Sequence, residues 1–279
     1  MTTTLAATPS PLLDLRATTN HPLSLRYSEV FSQALLHGQF AHARAHPSLS
    51  LAQATPFVDA ARRALAHGLD RPGVLDVMAT RLSAYYQAVR VDNAAQWLDI
   101  SPASRLAAEP PWAAVLPWRA RTVASYRQAH EDAAWAENRS VGRNLGIADG
   151  WLVCGPVSDE KIRVEAERML RVVRDIKANG YRRSDEPDGD VRVTALVDEA
   201  HSWRWLITAG NHRAAAAAAL GYEAIPIRAN LVISRADAPY WKHVVEGLFS
   251  LDEALAVFDT IFHGRPSRAT QGWAASVRP

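Results

Sequence analysis

Cysteine is nearly absent from this chain. The 279 residues include one, Cys154, so no intramolecular disulfide can form and no cysteine-based zinc cluster is available. Charge imbalance is missing too: 31 basic residues against 29 acidic ones leave a net charge of +2. That balance gives no global pull toward nucleic acid or an anionic membrane, and no nucleic-acid partner is expected. No apolar run approaches the length of a membrane helix, so no membrane span is expected. The stretch 1–11 has neither the basic start nor the apolar core of a secretory signal, and a cytoplasmic location follows as the default. What is present is ordinary for a folded protein, with 48% hydrophobic and 22% charged residues. The length fits one large domain or two ordinary ones.

The chain divides by texture. Residues 1–22 read as a flexible tail. Residues 23–150 read as a mainly helical region: Phe57, Ala61, Ala64 and Leu65 recur at helical spacing, as do Val74, Val77, Met78 and Leu82. The proline-rich segment 101–118 reads as a linker or rigid arm. Residues 151–235 form an α/β unit. Its expected elements are a buried strand at 151–154, a helix from Ser158 to about Asn179, strands at 191–197 and 203–208, a short helix at 211–220 and a strand at 224–233. Ser158 is a good N-cap, Asp159 and Glu160 suit the helix dipole, and Ile162, Met169, Val173 and Ile176 share one face. Residues 236–264 form a C-terminal helical pair, the second helix opening with the capping box Ser250-Leu251-Asp252-Glu253. Residues 265–279 read as a frayed tail. The fold class is α+β.

The sharpest local signal is Ile207-Thr208-Ala209-Gly210-Asn211-His212-Arg213, followed by six alanines. A strand runs into a helix through a glycine. The first helical N–H groups lack intrahelical partners, the dipole is positive there, and Gly210 lets a ligand approach the backbone. Asn211 can cap the helix or contact a ligand, and His212 and Arg213 add donors, Arg213 in bidentate fashion. The alternative is a plain helix cap with a solvated first turn.

The segment Ala209-Gly210-Asn211-His212-Arg213-Ala214, then Ala219-Leu220-Gly221-Tyr222, then Ile225-Pro226-Ile227, resembles the signature of the ParB/sulfiredoxin fold. In that fold a Gly-x-x-Arg or Gly-x-His-Arg turn binds nucleotide phosphates. Gly155-Pro156-Val157-Ser158, Lys161, Glu165, Arg168, Ile176-Lys177, Asn179-Gly180-Tyr181 and Tyr240-Trp241 are similar to ParB-like proteins associated with polysaccharide biosynthesis. The resemblance spans about 117–264. It implies a helical N-terminal region followed by a ParB/sulfiredoxin-like α/β domain and two C-terminal helices. Sulfiredoxins carry a catalytic cysteine where this chain has Asn211, so repair of oxidised cysteine is not implied. Trp241-Lys242 stands where DNA-partitioning relatives carry a metal-binding Glu-Asn pair. The remaining likeness is to free-serine kinases of the same fold, with phosphates on the Gly-x-His-Arg turn and a carboxylate base.

The resemblance implies catalytic roles for Glu165 and His212. It implies phosphate or nucleotide binding by Gly210, Asn211, His212, Arg213, Ser158, Lys161 and Arg168. Lys161, Glu165 and Arg168 lie at i, i+4 and i+7 on one helix face, which by itself also fits a solvated salt-bridge ladder. Asp188 and Asp190 form either a Mg²⁺-binding loop or a plain turn. No protein metal ligand is assigned. Cys154 is expected to be buried and inert. The cofactor expected is ATP or another nucleotide with Mg²⁺, and the partner a small hydroxylated acceptor or sugar precursor. A non-catalytic nucleotide-binding regulator or scaffold is the alternative.

Overall fold

The computed structural model describes residues 12–17, 19–46, 48–53, 55–184 and 189–277. It is an α+β fold in which helices pack on a mixed sheet. The first part holds strands β1 (Leu12–Leu15), β2 (Gln33–Gln39), β3 (Ala43–Ala45) and β4 (Leu49–Ser50). Helices α1 (Pro56–His67), α2 (Val74–Ala88), α3 (Ala94–Leu98) and α4 (Val123–Arg139) follow. Next come a hairpin, β5 (Gly150–Trp151) and β6 (Cys154–Val157), then α5 (Asp159–Asn179), β7 (Val191–Val197), β8 (Trp203–Ala209), α6 (Asn211–Ala219) and β9 (Ala224–Ser234). The chain continues through α7 (Lys242–Val245), α8 (Leu251–His263) and α9 (Arg268–Ser276).

Among the described residues the main sheet runs β1-β2-β9-β7-β8-β3-β4. β7 lies near its middle, parallel to β9 and antiparallel to β8. Five of its seven residues are apolar and six are buried, as a strand covered on both faces requires. Helices α5 and α6 pack together, and α1 packs on α2, α5 and α6. Ala214 to Ala218 are all buried, and their small side chains let α6 lie close to its neighbours.

Several elements form where local chemistry asks for them. Ser158 Oγ accepts the Lys161 N–H at 3.3 Å, Ile162, Met169, Val173 and Ile176 are buried, and Gly180 ends α5 at φ 75°. Ser250 Oγ accepts the Glu253 N–H at 3.1 Å, and Glu253 accepts the Ser250 N–H at 3.0 Å. This capping box starts α8.

The N-terminal region departs from the expected helical texture. Residues 33–39, 43–45 and 49–50 are strands of the main sheet, and 12–15 is a strand rather than tail. β2 carries no β-branched residue and contains Gly38, so it lacks the usual strand signal. A Cβ at Gly38 would lie 2.6 Å from Ile227 Cδ1, which explains glycine at that close approach to β9. The segment 101–118 is no free arm: Leu106, Ala113, Val115, Leu116 and Trp118 are buried. Residues 151–154 form the bend of a separate two-stranded hairpin, not a strand of the main sheet. Tyr85 and Tyr86 of α2 hold that bend through the carbonyls of Val153 at 2.6 Å and Leu152 at 3.0 Å. The first member of the C-terminal pair, α7, is four residues long and follows a 3₁₀ turn at Arg235–Tyr240. The tail contains α9, whose buried Trp273 packs edge-on against Tyr85 at 4.9 Å. One continuous apolar cluster runs from Leu15 to Trp273 and joins the N-terminal helices to the sheet.

Candidate functional site

Helix α6 starts at Gly210, whose φ of 84° and ψ of 28° are left-handed. A Cβ there would also sit 3.2 Å from Val191 Cα. Glycine is therefore favoured twice over, by backbone conformation and by the closeness of β7. Gly210 itself is the cap residue and no side chain caps the helix. Asn211 is exposed, while His212 and Arg213 are partly buried.

The centre of the site is Glu165. Its side chain has 0% exposure. Arg168 donates to its Oε1, and His212 Nε2 lies 3.0 Å from its Oε2. The latter contact has ion-pair distance, but the ring is not aligned for a regular hydrogen bond. Burial pushes the Glu165 carboxyl up, yet the adjacent His212, Arg168 and Lys161 outweigh that cost and hold it below its ordinary value. The carboxylate is thus charged and dry, with the Arg168 guanidinium on one oxygen and the His212 ring against the other. The edge-to-face ring of Phe57, from the first turn of α1, covers His212 at 4.6 Å.

Arg168 also reaches the end of α4. Its Nη2 donates to the Glu137 carbonyl at 2.5 Å and to Asn138 Oδ1 at 3.4 Å. Asn138 is buried and donates in turn to the Ala134 carbonyl at 2.8 Å. The Glu137 carboxyl is pushed up, first by the protein packed round it and then by the charge of Glu165, although its residue keeps an exposed surface.

Other residues implied by the resemblance have local duties. Lys161 is 2% exposed and donates to the carbonyls of Gly146 at 2.8 Å and Gly150 at 2.5 Å. Burial pushes its ammonium down against the opposing pull of Glu165, Asp149 and Glu137. It contributes charge to Glu165 but ties down the loop before the hairpin. Ser158 serves as the α5 cap. Arg213 donates to the carbonyls of Gly189 and Asp190, fixing α6 to the start of β7. Asp190 is 2% exposed, with Arg228 at 2.6 Å and Arg183 at 3.2 Å. Those partners engage it as a structural carboxylate. Asp188 lies outside the described residues. Among the described residues no three His, Cys, Asp or Glu side chains cluster in a way that could hold a metal ion.

The fold thus joins Glu165, Arg168 and His212, and sets Gly210 and Arg213 on the adjoining turn. Lys161 stands one turn before Glu165 on α5 and Ser158 caps that helix two turns before it, both with backbone partners. Phe57 carried no sequence signal for this site, because it belongs to a helix more than a hundred residues away in the chain. A cleft of about 670 Å³ lies at the other end of α6, lined by Ala218, Gly221, Tyr222 and Glu223. No family model matches this sequence, and searches of curated proteins and of solved structures find no match either.

Proposed function

We propose that this protein binds the phosphates of a nucleotide such as ATP at the start of α6 and transfers a phosphoryl group to a hydroxyl of a small molecule. The observation that carries the proposal is the fully buried Glu165 carboxylate, 3.0 Å from His212 at the glycine-capped turn. A helix start offers free N–H groups and a positive dipole to phosphate, and phosphoryl transfer needs positioning, positive charge and a base near the nucleophile.

The geometry divides the roles. Glu165 has no exposure, whereas the His212 side chain retains 25%. His212 is therefore the proton acceptor in this proposal, and Glu165 orients it and stabilises the imidazolium that forms. The acceptor oxygen would lose its proton to His212 as its bond to the γ-phosphorus forms. The bond between that phosphorus and the β-phosphate oxygen would break, and the nucleoside diphosphate would leave. A Mg²⁺ ion would arrive on the phosphates with mostly water ligands. Glu137 is the nearby carboxylate that keeps an exposed surface. The ion would offset phosphate charge, and the residues above would hold the polyphosphate and the proton.

The alternative, a nucleotide-binding regulator without turnover, has its own support. Lys161 and Arg213 bind backbone carbonyls rather than facing outward. Calorimetry with ATP, ADP and CTP, followed by an ATP-consumption assay against sugars, amino acids and polyols, separates the two. Binding abolished by His212→Ala, with acceptor-dependent ATP consumption, supports transfer. Binding without consumption supports the regulator. No nucleotide affinity in the wild type removes both.

A further inference from the structure

His243 of the short helix α7 is 2% exposed, and half of its ring has a clear duty. Its backbone N–H donates to the Pro117 carbonyl at 3.2 Å, and its Nε2 lies 2.9 Å from the Arg121 carbonyl. A carbonyl oxygen only accepts, so Nε2 carries the proton and Nδ1 of the neutral ring is a bare lone pair. That Nδ1 is buried and finds no hydrogen-bond partner among the described residues. Facing it at 3.5 Å is Glu246 Oε2, a second acceptor. Burial pushes the imidazolium down, and the opposing pull of the Arg121 carbonyl and of Glu246 does not restore it. Two acceptors therefore confront each other with no proton between them, an arrangement that calls for a donor.

The pair lies on a cleft of about 460 Å³ whose apolar walls are Leu106, Val123 and Leu248. We infer that this cleft binds a primary aliphatic amine, whose ammonium group donates to both His243 Nδ1 and Glu246. An –NH₃⁺ group has three donors and no lone pair, so one nitrogen can serve two acceptors 3.5 Å apart. A hydroxyl has a single proton and would turn its own lone pairs on the other acceptor. The carboxylate can adjust to the ligand: its side chain is 49% exposed, and it is held by Lys242 one turn earlier, an exposed pair of the kind that contributes little. Glu109 supplies a further carboxylate to the cleft, with Arg127 at 3.7 Å. Arg105, the basic member of the lining, turns to the Gly247 carbonyl at 3.3 Å. Among the described residues no three His, Cys, Asp or Glu side chains are grouped to hold a metal ion, so the cation these groups suit is an organic one, its alkyl body lying on the apolar walls.

The site is separate from the one at the start of α6. Val123 opens α4 at the cleft, and Glu137 at its other end meets Arg168. The two are ~20 Å apart in helix rise, too far for one small molecule to span. The inference therefore does not rest on phosphotransfer.

The probe is n-butylammonium, titrated at pH 7.5 into the full chain with ¹⁵N-labelled histidine, and His243→Gln assigns the His243 signals. In the free protein Nδ1 should resonate as an unprotonated nitrogen without a hydrogen bond, and saturating amine should move it toward the hydrogen-bonded position. Tetramethylammonium, which has the charge but no N–H donor, and 1-butanol, which has one donor and no charge, should bind at least tenfold more weakly. Glu246→Gln alters an exposed side chain and should weaken n-butylammonium at least tenfold. His243→Gln keeps an amide donor for the Arg121 carbonyl while removing the Nδ1 acceptor, and should do the same, with circular dichroism verifying both folds. A Nδ1 already protonated in the free protein would mean that His243 and Glu246 satisfy each other, and overturns the inference. Absence of saturable binding, tetramethylammonium binding as tightly as the primary amine, or an affinity unchanged by Glu246→Gln overturns it as well.

Discussion

Acidification probes two histidines that the fold keeps uncharged, His46 and His130. A histidine in an unfolded chain titrates near 6.5, but His46 is held at about 3 and His130 at about 4. Between those limits the unfolded chain binds protons that the folded protein refuses. Their stabilising contribution is therefore complete above about pH 6.5 and is lost as pH falls. At pH 5 the linkage costs ~2 kcal/mol for each histidine and ~4 kcal/mol for the two. Against a total stability of roughly 5–15 kcal/mol this is large, and in a protein of this size it lowers Tm by about 8 °C or more. Glu165, held below its ordinary value of 4.5, has a dependence of the same sign and loses its contribution only at lower pH. Thermal unfolding followed by circular dichroism from pH 7.5 to 5, at constant ionic strength, measures the effect. A His46→Asn, His130→Asn double variant should lose most of the slope. A smaller slope of the same sign should remain from His42 and His243, which burial also pushes down. A wild-type Tm that is flat from pH 7 to 5, or a double variant equally acid-sensitive, would refute the reasoning.

Three further outcomes are expected. Gly210→Ala forces a side chain into a φ of 84° and against Val191, and should cost ~1–3 kcal/mol, read as a lower urea midpoint; an unchanged midpoint contradicts the turn geometry. Glu165→Gln removes a buried charge from between Arg168 and His212. It should destabilise by ~3–5 kcal/mol and abolish acceptor-dependent ATP consumption while sparing ATP affinity; full turnover in this variant would exclude the assigned role. The Cys154 thiol, 2% exposed and pushed up to about 12 by burial, should react with an aromatic disulfide reagent at least a hundredfold faster after unfolding than before, and rapid native labelling would contradict its burial.

What could be read in the sequence was local. Ser158, the acidic first turn, the apolar stripe and Gly180 together define α5, and all of them act within a few residues. The glycine turn before α6 was legible for the same reason. β2 to β4 were not, because Gln33–Gln39 and its short successors are strands by virtue of pairing with β9 and β8, not by their own pattern. Lys161 and Glu165 show a different limit. Charges at i and i+4 on a helix look like a solvated face, yet both residues are buried. Phe57 over His212 and the end of α4 at Arg168 supply that cover from distant segments.

Helix α4 shows how such distant segments can be held without an apolar stripe. Of its residues only Asn138 is buried, so hydrophobic burial contributes little to its placement. Polar and ring contacts along its length do the anchoring. Trp112 donates to Glu131 at 3.0 Å, Arg127 braces the same carboxylate at 3.0 Å, and His130 packs on Trp151. At the far end Arg168 binds the Glu137 carbonyl and Asn138. Arg168 is also the partner of Glu165, so the residue that neutralises the buried carboxylate is the one that docks the helix. Charge at Glu165 and the position of α4 are coupled through a single guanidinium. Any negative charge brought to the Gly210 turn competes for that guanidinium, and therefore bears on how α4 is docked.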